Sequence, residues 1–258
     1  MDNMFKNNKC YYRYMVSKNI ESNNENLTKK ERKKLRLKNI ILDGASELFL
    51  NRTYENVTMS DIADHVALSR ATLYNYFGTK EEIFYEIGSR YARELIIKLR
   101  KLHDSKKTGL ESLLSFYKVV FEDLLGVSLV PQLFLSLYQK LTKLKLLESF
   151  ISASIFEDDT TKIQAEIDSL DAHLKDFVKA YVNYRKILHA EFQRGKEDGS
   201  IHTTLDEIGF FSLMNIMIFG SGSFFKNFLI PLNHKWITGN EIIERVLNIV
   251  KSQLTDLT

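Results

Sequence analysis

The chain has 258 residues, enough for one large domain or a small one fused to a larger one. At 44% hydrophobic and 27% charged it has an ordinary globular composition, and its single cysteine, Cys10, excludes an internal disulfide and fits a reducing, intracellular setting. The net charge of +3 hides an asymmetry: residues 1–103 carry 19 Lys and Arg against 13 Asp and Glu, and residues 104–258 carry 17 against 20. A phosphate-binding head on a non-binding body would give this bias, as would a solvated charged face.

Two prolines and eleven glycines, with Leu, Lys, Ile and Glu abundant, predict an all-α chain. No charged-then-apolar signal segment heads the sequence, so a cytoplasmic protein is expected. Residues 1–27 are rich in Asn and aperiodic, with only four cations, and read as a disordered tail more readily than as a basic arm for the minor groove. Lys29–Lys38, KKERKKLRLK, leads into a helix whose inward stripe is Leu37, Ile41, Ala45 and Leu48.

The stretch Thr58–Lys80, TMSDIADHVALSRATLYNYFGTK, reads as two short helices joined by a tight turn, followed by the start of a third. Thr58 with Asp61 forms a capping box for the first, Ser69 caps the second, and Thr79 with Glu82 opens the third after a break at Gly78. Two helices of about two turns separated by three or four residues make a helix-turn-helix, whose second helix enters the DNA major groove. From Thr79 a long helix runs to about Leu102, with Ile83, Ile87, Tyr91, Leu95 and Leu99 along one face, and residues 105–109 form the expected seam with the rest of the chain.

The segment Leu37–Ile87 resembles the DNA-binding domain of TetR-family transcriptional regulators. The resemblance lies in the helix IleIleLeuAspGlyAlaSerGluLeuPhe, then ThrMetSerAspIleAla, LeuSerArgAlaThrLeuTyrAsnTyrPhe and ThrLysGluGluIlePhe, in that order. It covers about fifty residues and implies three regions: a tail (1–27), a helix-turn-helix domain with its linker helix (28–102), and a helical ligand-binding and dimerisation domain (103–258). It departs from the family at Ala67, Ala71 and Thr53, where glycine is usual. If the turn is left-handed, Ala67 costs roughly 1–2 kcal/mol.

Exposed positions on the second helix would be Ser69, Arg70, Thr72, Tyr74, Asn75 and Tyr76, with Leu73 and Phe77 in the core. Arg70 can pair bidentately with guanine and Asn75 with adenine, while Thr72 offers a methyl for thymine and a hydroxyl for phosphate. By resemblance, Tyr74, Tyr76 and Lys80 would hold the DNA backbone, with Thr58, Ser60 and the helix starts at Thr58 and Thr79 assisting.

Beyond residue 103, apolar helical segments are expected near 109–126, 131–147, 162–196, 204–228 and 239–255. In the last, Ile243, Leu247, Val250 and Leu254 recur at helical spacing, behind a capping box of Thr238 and Glu241. Ile208–Phe225 carries no charge for eighteen residues, long enough for a membrane span. Its asparagine, serines and glycines fit a buried dimer core better. The resemblance implies that the last two helices of each subunit pair with their copies as a four-helix bundle, with Ser212 and Gly220 allowing close approach and the Ile243–Leu254 stripe in the interface.

The resemblance also implies an effector pocket inside the body. Phe121, Phe134, Tyr138, Phe150, Tyr181 and Tyr184 are its candidate lining, and their aromatic character suggests a small apolar or aromatic molecule, although aromatics at helical spacing also build cores. A homodimer reading a pseudo-palindromic operator, most commonly as a repressor, is the implied function, with an activator or a low-specificity DNA binder as the alternative. A membrane-anchored protein or an enzyme is the remoter reading: the sequence holds no His-Glu-x-x-His, phosphate loop or nucleophile elbow, and no catalytic residue, cofactor or metal ligand set is expected. His189 with Glu191, and Asp171 with His173, are two apart and face different sides of a helix.

Overall fold

Thr28 opens the first helix with a reciprocal cap: its hydroxyl accepts from the Glu31 amide at 3.3 Å, and the Glu31 carboxylate accepts from the Thr28 amide at 2.8 Å. The basic run is therefore the first turns of helix α1 (Lys29–Asn51) itself. The structure, a computed structural model, describes residues 27–52, 54–126, 129–146, 160–224 and 239–255. Thr53, the tail before residue 27, Phe150 and Thr238 lie outside the described residues. Within them the chain is helical and contains no strand.

In the head, Ile41, Leu42, Ala45, Leu48 and Phe49 of α1 form the buried stripe that the apolar spacing dictates. After a 3₁₀ turn at Tyr54–Asn56 come α2 (Met59–His65) and α3 (Arg70–Tyr74), and α1 packs against α2 and α2 against α3. Helix α4 (Lys80–Leu102) comes next. Phe49, Tyr54 and Phe84 cluster with ring centroids 4.7–5.6 Å apart, joining α1 and the 3₁₀ turn to the first turns of α4.

The body comprises α5 (Gly109–Gly126), α6 (Leu129–Lys143), α7 (Thr160–Asp168), α8 (Ala172–Glu197), α9 (Glu207–Phe224) and α10 (Gly239–Thr255). Helix α5 is at its centre, packed against α8, α9 and α10, and α9 also packs against α6. Its Leu113, Phe116, Tyr117 and Val120 are buried, as are Phe177, Tyr181, Leu188 and Phe192 of α8. Among the described residues, no helix is long and apolar enough to cross a membrane.

Three expectations change. The chain divides into two units between Ile87 and Gly88, inside α4, not near residue 103. The later turns of α4 belong to the body: Tyr91, Leu95 and Leu99 are buried, and a Cβ on Gly88 would come within 2.7 Å of the Phe177 ring. The expected seam at 105–109 is pinned, because the Gly109 amide donates to Asp198 Oδ2 at 2.7 Å and a Cβ at Gly109 would lie 2.1 Å from the Gly195 backbone nitrogen.

The segment expected as one helix over 162–196 is two. Asp171 caps a new helix by accepting from the Leu174 amide at 3.0 Å, and Ser169 and Leu170 break the ladder before it.

The third change concerns the dimer surface. Ile243, Leu247, Val250 and Leu254 are each at most 8% exposed within one chain, because α10 lays this stripe along α5. Within one chain the stripe therefore builds the subunit's own core. An exposed ion pair, Lys118 to Glu244 at 2.7 Å, spans the same two helices.

Candidate nucleic-acid interface

The turn between α2 and α3 is set by the end of α2. The Leu68 amide donates to the Ala63 carbonyl at 2.9 Å and the Ala67 amide to the Asp64 carbonyl at 3.2 Å, the paired bonds of a Schellman ending. That ending places Ala67 in the left-handed region, at φ 54°. Glycine enters this region without a Cβ clash and alanine does not. The substitution Ala67→Gly is expected to raise the thermal stability of the head by about 1 kcal/mol, after allowing for the greater freedom of glycine in the unfolded chain. A lower melting temperature would show that the turn has no such strain.

Helix α2 starts in the expected capping box. The Asp61 amide donates to Thr58 Oγ1 at 3.1 Å, and Asp61 Oδ2 accepts from the Thr58 amide at 2.8 Å and its hydroxyl at 2.6 Å. These bonds hold the Asp61 carboxyl below the usual carboxylate value. At α4 the cap differs from expectation: the Glu82 amide donates to Thr79 Oγ1 at 3.2 Å, but the Glu82 carboxylate accepts from the Gly78 amide, one residue before the cap. Carboxylates of the chain thus already occupy part of both helix starts, leaving fewer free amides for phosphates.

Ser69 caps α3, accepting from the Thr72 amide at 3.1 Å, with the two hydroxyls 2.8 Å apart. The helix ends at Tyr74, shorter than the sequence suggested, and Asn75 and Tyr76 form the turn after it. Leu73 and Phe77 are in the core, as expected. Ser69, Arg70, Asn75 and Tyr74 (53% exposed) face outward, while Ser60, Thr72 and Tyr76 are half-buried. Ala71 is exposed, so no close packing demands a glycine there. The solvent face of α3 therefore offers a fork of guanidinium donors, a side-chain amide and a phenol.

Lys80 is already engaged: its Nζ donates to the Tyr54 carbonyl at 2.8 Å and lies 4.3 Å from the centre of the Tyr54 ring. An ammonium has three donors, so those left over could meet a phosphate from a held position. The sequence did not single out this Tyr54–Lys80 pairing. In the same unit, six exposed cations, Lys29, Lys30, Arg32, Lys33, Lys34 and Arg36, crowd the start of α1.

In the body, three of the six candidate pocket residues meet. The Tyr138 and Tyr181 hydroxyls are 3.2 Å apart, and the Tyr181 and Tyr184 rings 5.8 Å. Phe121 is buried 6.5 Å from the Tyr117 ring. The Phe134 side chain and Phe150 lie outside the described residues. Two polar groups that the sequence reading passed over join this cluster. Asn215 Nδ2 donates to the Tyr138 hydroxyl at 3.1 Å, and the Arg185 guanidinium lies 4.2 Å from the centre of the Phe211 ring. The signal for Arg185 was present: it stands four positions after Tyr181 and three before Leu188, on a largely apolar face. His189 pairs with Glu207, and Glu191 with His103 and Arg194. Among the described residues no group of His, Cys, Asp and Glu is placed to hold a metal ion.

A head with a capped pair of short helices, the second presenting polar side chains, is a helix-turn-helix DNA-binding domain. Residues 41–87 match the family of bacterial regulatory proteins, tetR family. By this domain the chain is similar to that family. It is 28% identical over 94 residues to the transcriptional activator FasR of Mycolicibacterium smegmatis, spanning 35% of this chain and 43% of that protein. With the transcriptional repressor KstR2 of Mycobacterium tuberculosis it is 30% identical over 82 residues, or 32% and 41% of the two chains. It spans about half the length of the curated relatives it matches. Over the whole fold it is similar to the KstR2 structure, with TM-score 0.60 and 18% identity across 85% of this chain and 95% of that one. It is also similar to FadR of Bacillus subtilis in complex with stearoyl-CoA, with TM-score 0.50 and 20% identity across 83% and 97%. These relatives and neighbours are transcriptional regulators, not enzymes.

Proposed function

We propose that the protein is a ligand-responsive transcriptional regulator that binds a pseudo-palindromic operator as a homodimer and is released by a small molecule held in the body. The observation that carries this reading is the outward face of α3 and the turn after it, where Arg70, Tyr74 and Asn75 stand exposed while Leu73 and Phe77 are held in the core. Phosphate contacts from Tyr74, Tyr76, Lys80 and Thr72 supply affinity, and Arg70 and Asn75 supply base preference. Repression is the mode of KstR2, while FasR is an activator. The FadR neighbour is in complex with stearoyl-CoA, which supports a ligand site in a protein of this fold.

Dimerisation would use the exposed stripe of α9, not the buried stripe of α10. Ile208 (42% exposed), Ser212, Ile216 (68%) and Gly220 recur every fourth residue on the solvent face, and no atom lies within 4 Å of a Cβ at Gly220. On α10, Ile249 is 53% exposed.

The experiment that tests the reading is selection of bound fragments from the source genome, followed by titrations at two salt concentrations. Enrichment of one palindromic sequence with a large specificity ratio supports it; diffuse, steeply salt-dependent binding supports a low-specificity binder instead. In the same selection, Arg70→Ala is expected to relax preference at one base position per half-site, by about 1–3 kcal/mol. An unchanged motif would remove Arg70 from base reading.

A further inference from the structure

We propose that Arg185, enclosed in the body among Tyr117, Tyr138, Tyr181 and Tyr184, anchors the carboxylate of an apolar small molecule. This rests on the reading of the body as a ligand sensor and names the chemistry that it senses.

Arg185 is 5% exposed. A guanidinium stays charged in a protein, so burying it is costly unless a partner compensates it. The other charged residues buried among the described ones have such partners. Glu86 meets Lys38 at 3.1 Å, and Glu191 meets Arg194 and His103. For Arg185, no carboxylate pairs with it among the described residues. Its surroundings are tyrosine hydroxyls and the face of Phe211, which compensates the charge only in part.

A second group points the same way. The Tyr117 hydroxyl is fully buried on α5 and makes no hydrogen bond. Buried hydroxyls ordinarily find a partner. Among the described residues the cluster thus has donors to spare and no acceptor bearing negative charge. It is assembled from four helices: Tyr117 from α5, Tyr138 from α6, Tyr181, Tyr184 and Arg185 from α8, and Phe211 and Asn215 from α9.

The deficit has the size of a carboxylate. A carboxylate takes two parallel bonds from a guanidinium and still has lone pairs for a hydroxyl such as that of Tyr117. A phosphate monoester carries close to two charges, whereas the Arg185 guanidinium carries one. The rings of Phe211, Tyr181 and Tyr184 supply an apolar wall for the rest of the molecule.

The test is calorimetric titration of the full chain with dodecanoate and 4-phenylbutyrate, each paired with its neutral primary amide, alongside Arg185→Gln. At least one acid should bind, with its amide roughly ten- to a hundredfold weaker, and Arg185→Gln should reduce the acid to the level of the amide. Amides that bind as well as their acids, acid preference that survives Arg185→Gln, or no binding of either acid overturns the proposal. Melting of the unliganded variant gives an independent check: Arg185→Gln should melt no lower than the natural chain, since an unpaired buried charge is gone. A large drop would show that the guanidinium is satisfied within the fold and would overturn it too. Adding operator DNA separates this from the reading beneath it. Amides that release DNA as well as acids leave the sensor without the anchor, whereas acids that bind without release leave the anchor without the sensor.

Discussion

The substitution Ile216→Asp is expected to leave the chain folded, convert it to a monomer in sedimentation, and weaken operator binding at least about a hundredfold. Ile216 is 68% exposed in one chain, so the carboxylate remains hydrated in the monomer and costs little. In a two-fold dimer the same position meets its own copy or a close neighbour, because a two-fold interface presents one patch to itself. Two like charges in an apolar contact then oppose association. The loss in DNA binding comes from linkage: each head holds one half-site, and a monomer gives up the high effective concentration that its partner provides for the second. An intact dimer would remove the α9 stripe from the interface. A monomer with undiminished operator affinity would remove dimerisation from DNA reading.

The head was largely legible in the sequence because its information is local. Thr58 with Asp61, and Ser69 with the Thr72 amide, are caps closed within four residues, and the structure forms both. Ala67 could be identified as a strained position because a helix ending of this kind needs a left-handed residue, whatever stands there. Spacing alone could not show that Glu82 reaches the Gly78 amide, or that Lys80 binds the Tyr54 carbonyl across 26 positions.

The body was less legible for the same reason. Helix periodicity says that a stripe is buried but not against what, and a stripe facing α5 looks in sequence like a stripe facing a second subunit. The boundary between the units was misplaced because α4 runs unbroken through it, while the polar segment at 105–109 is tied down by Asp198 and Gly195 from nearly ninety residues away. Arg185 was passed over because its surroundings come from four helices, and spacing on one helix cannot show that no carboxylate among the described residues pairs with it.

The α10 stripe gives the sharpest contrast. Val250→Asp and Ile243→Asp should each unfold or severely destabilise the body instead of producing well-folded monomers. Both side chains are at most 2% exposed against the chain's own core. Losing either removes about 1.5–3 kcal/mol of apolar burial, and the new carboxylate must be either desolvated without a partner or protonated to stay inside. Together these reach about 4–5 kcal/mol, a large part of the stability of an ordinary domain. For a body of this size that lowers the melting temperature by about 10–20 °C. Ile249→Asp, one position away on the same helix but 53% exposed, should stay within about 0.5 kcal/mol of the natural chain. Circular-dichroism melts of the three variants decide the matter. A Val250→Asp protein that melts normally and sediments as a monomer would mean that the stripe faces a second copy after all, and that α10 does not lie along α5 in solution.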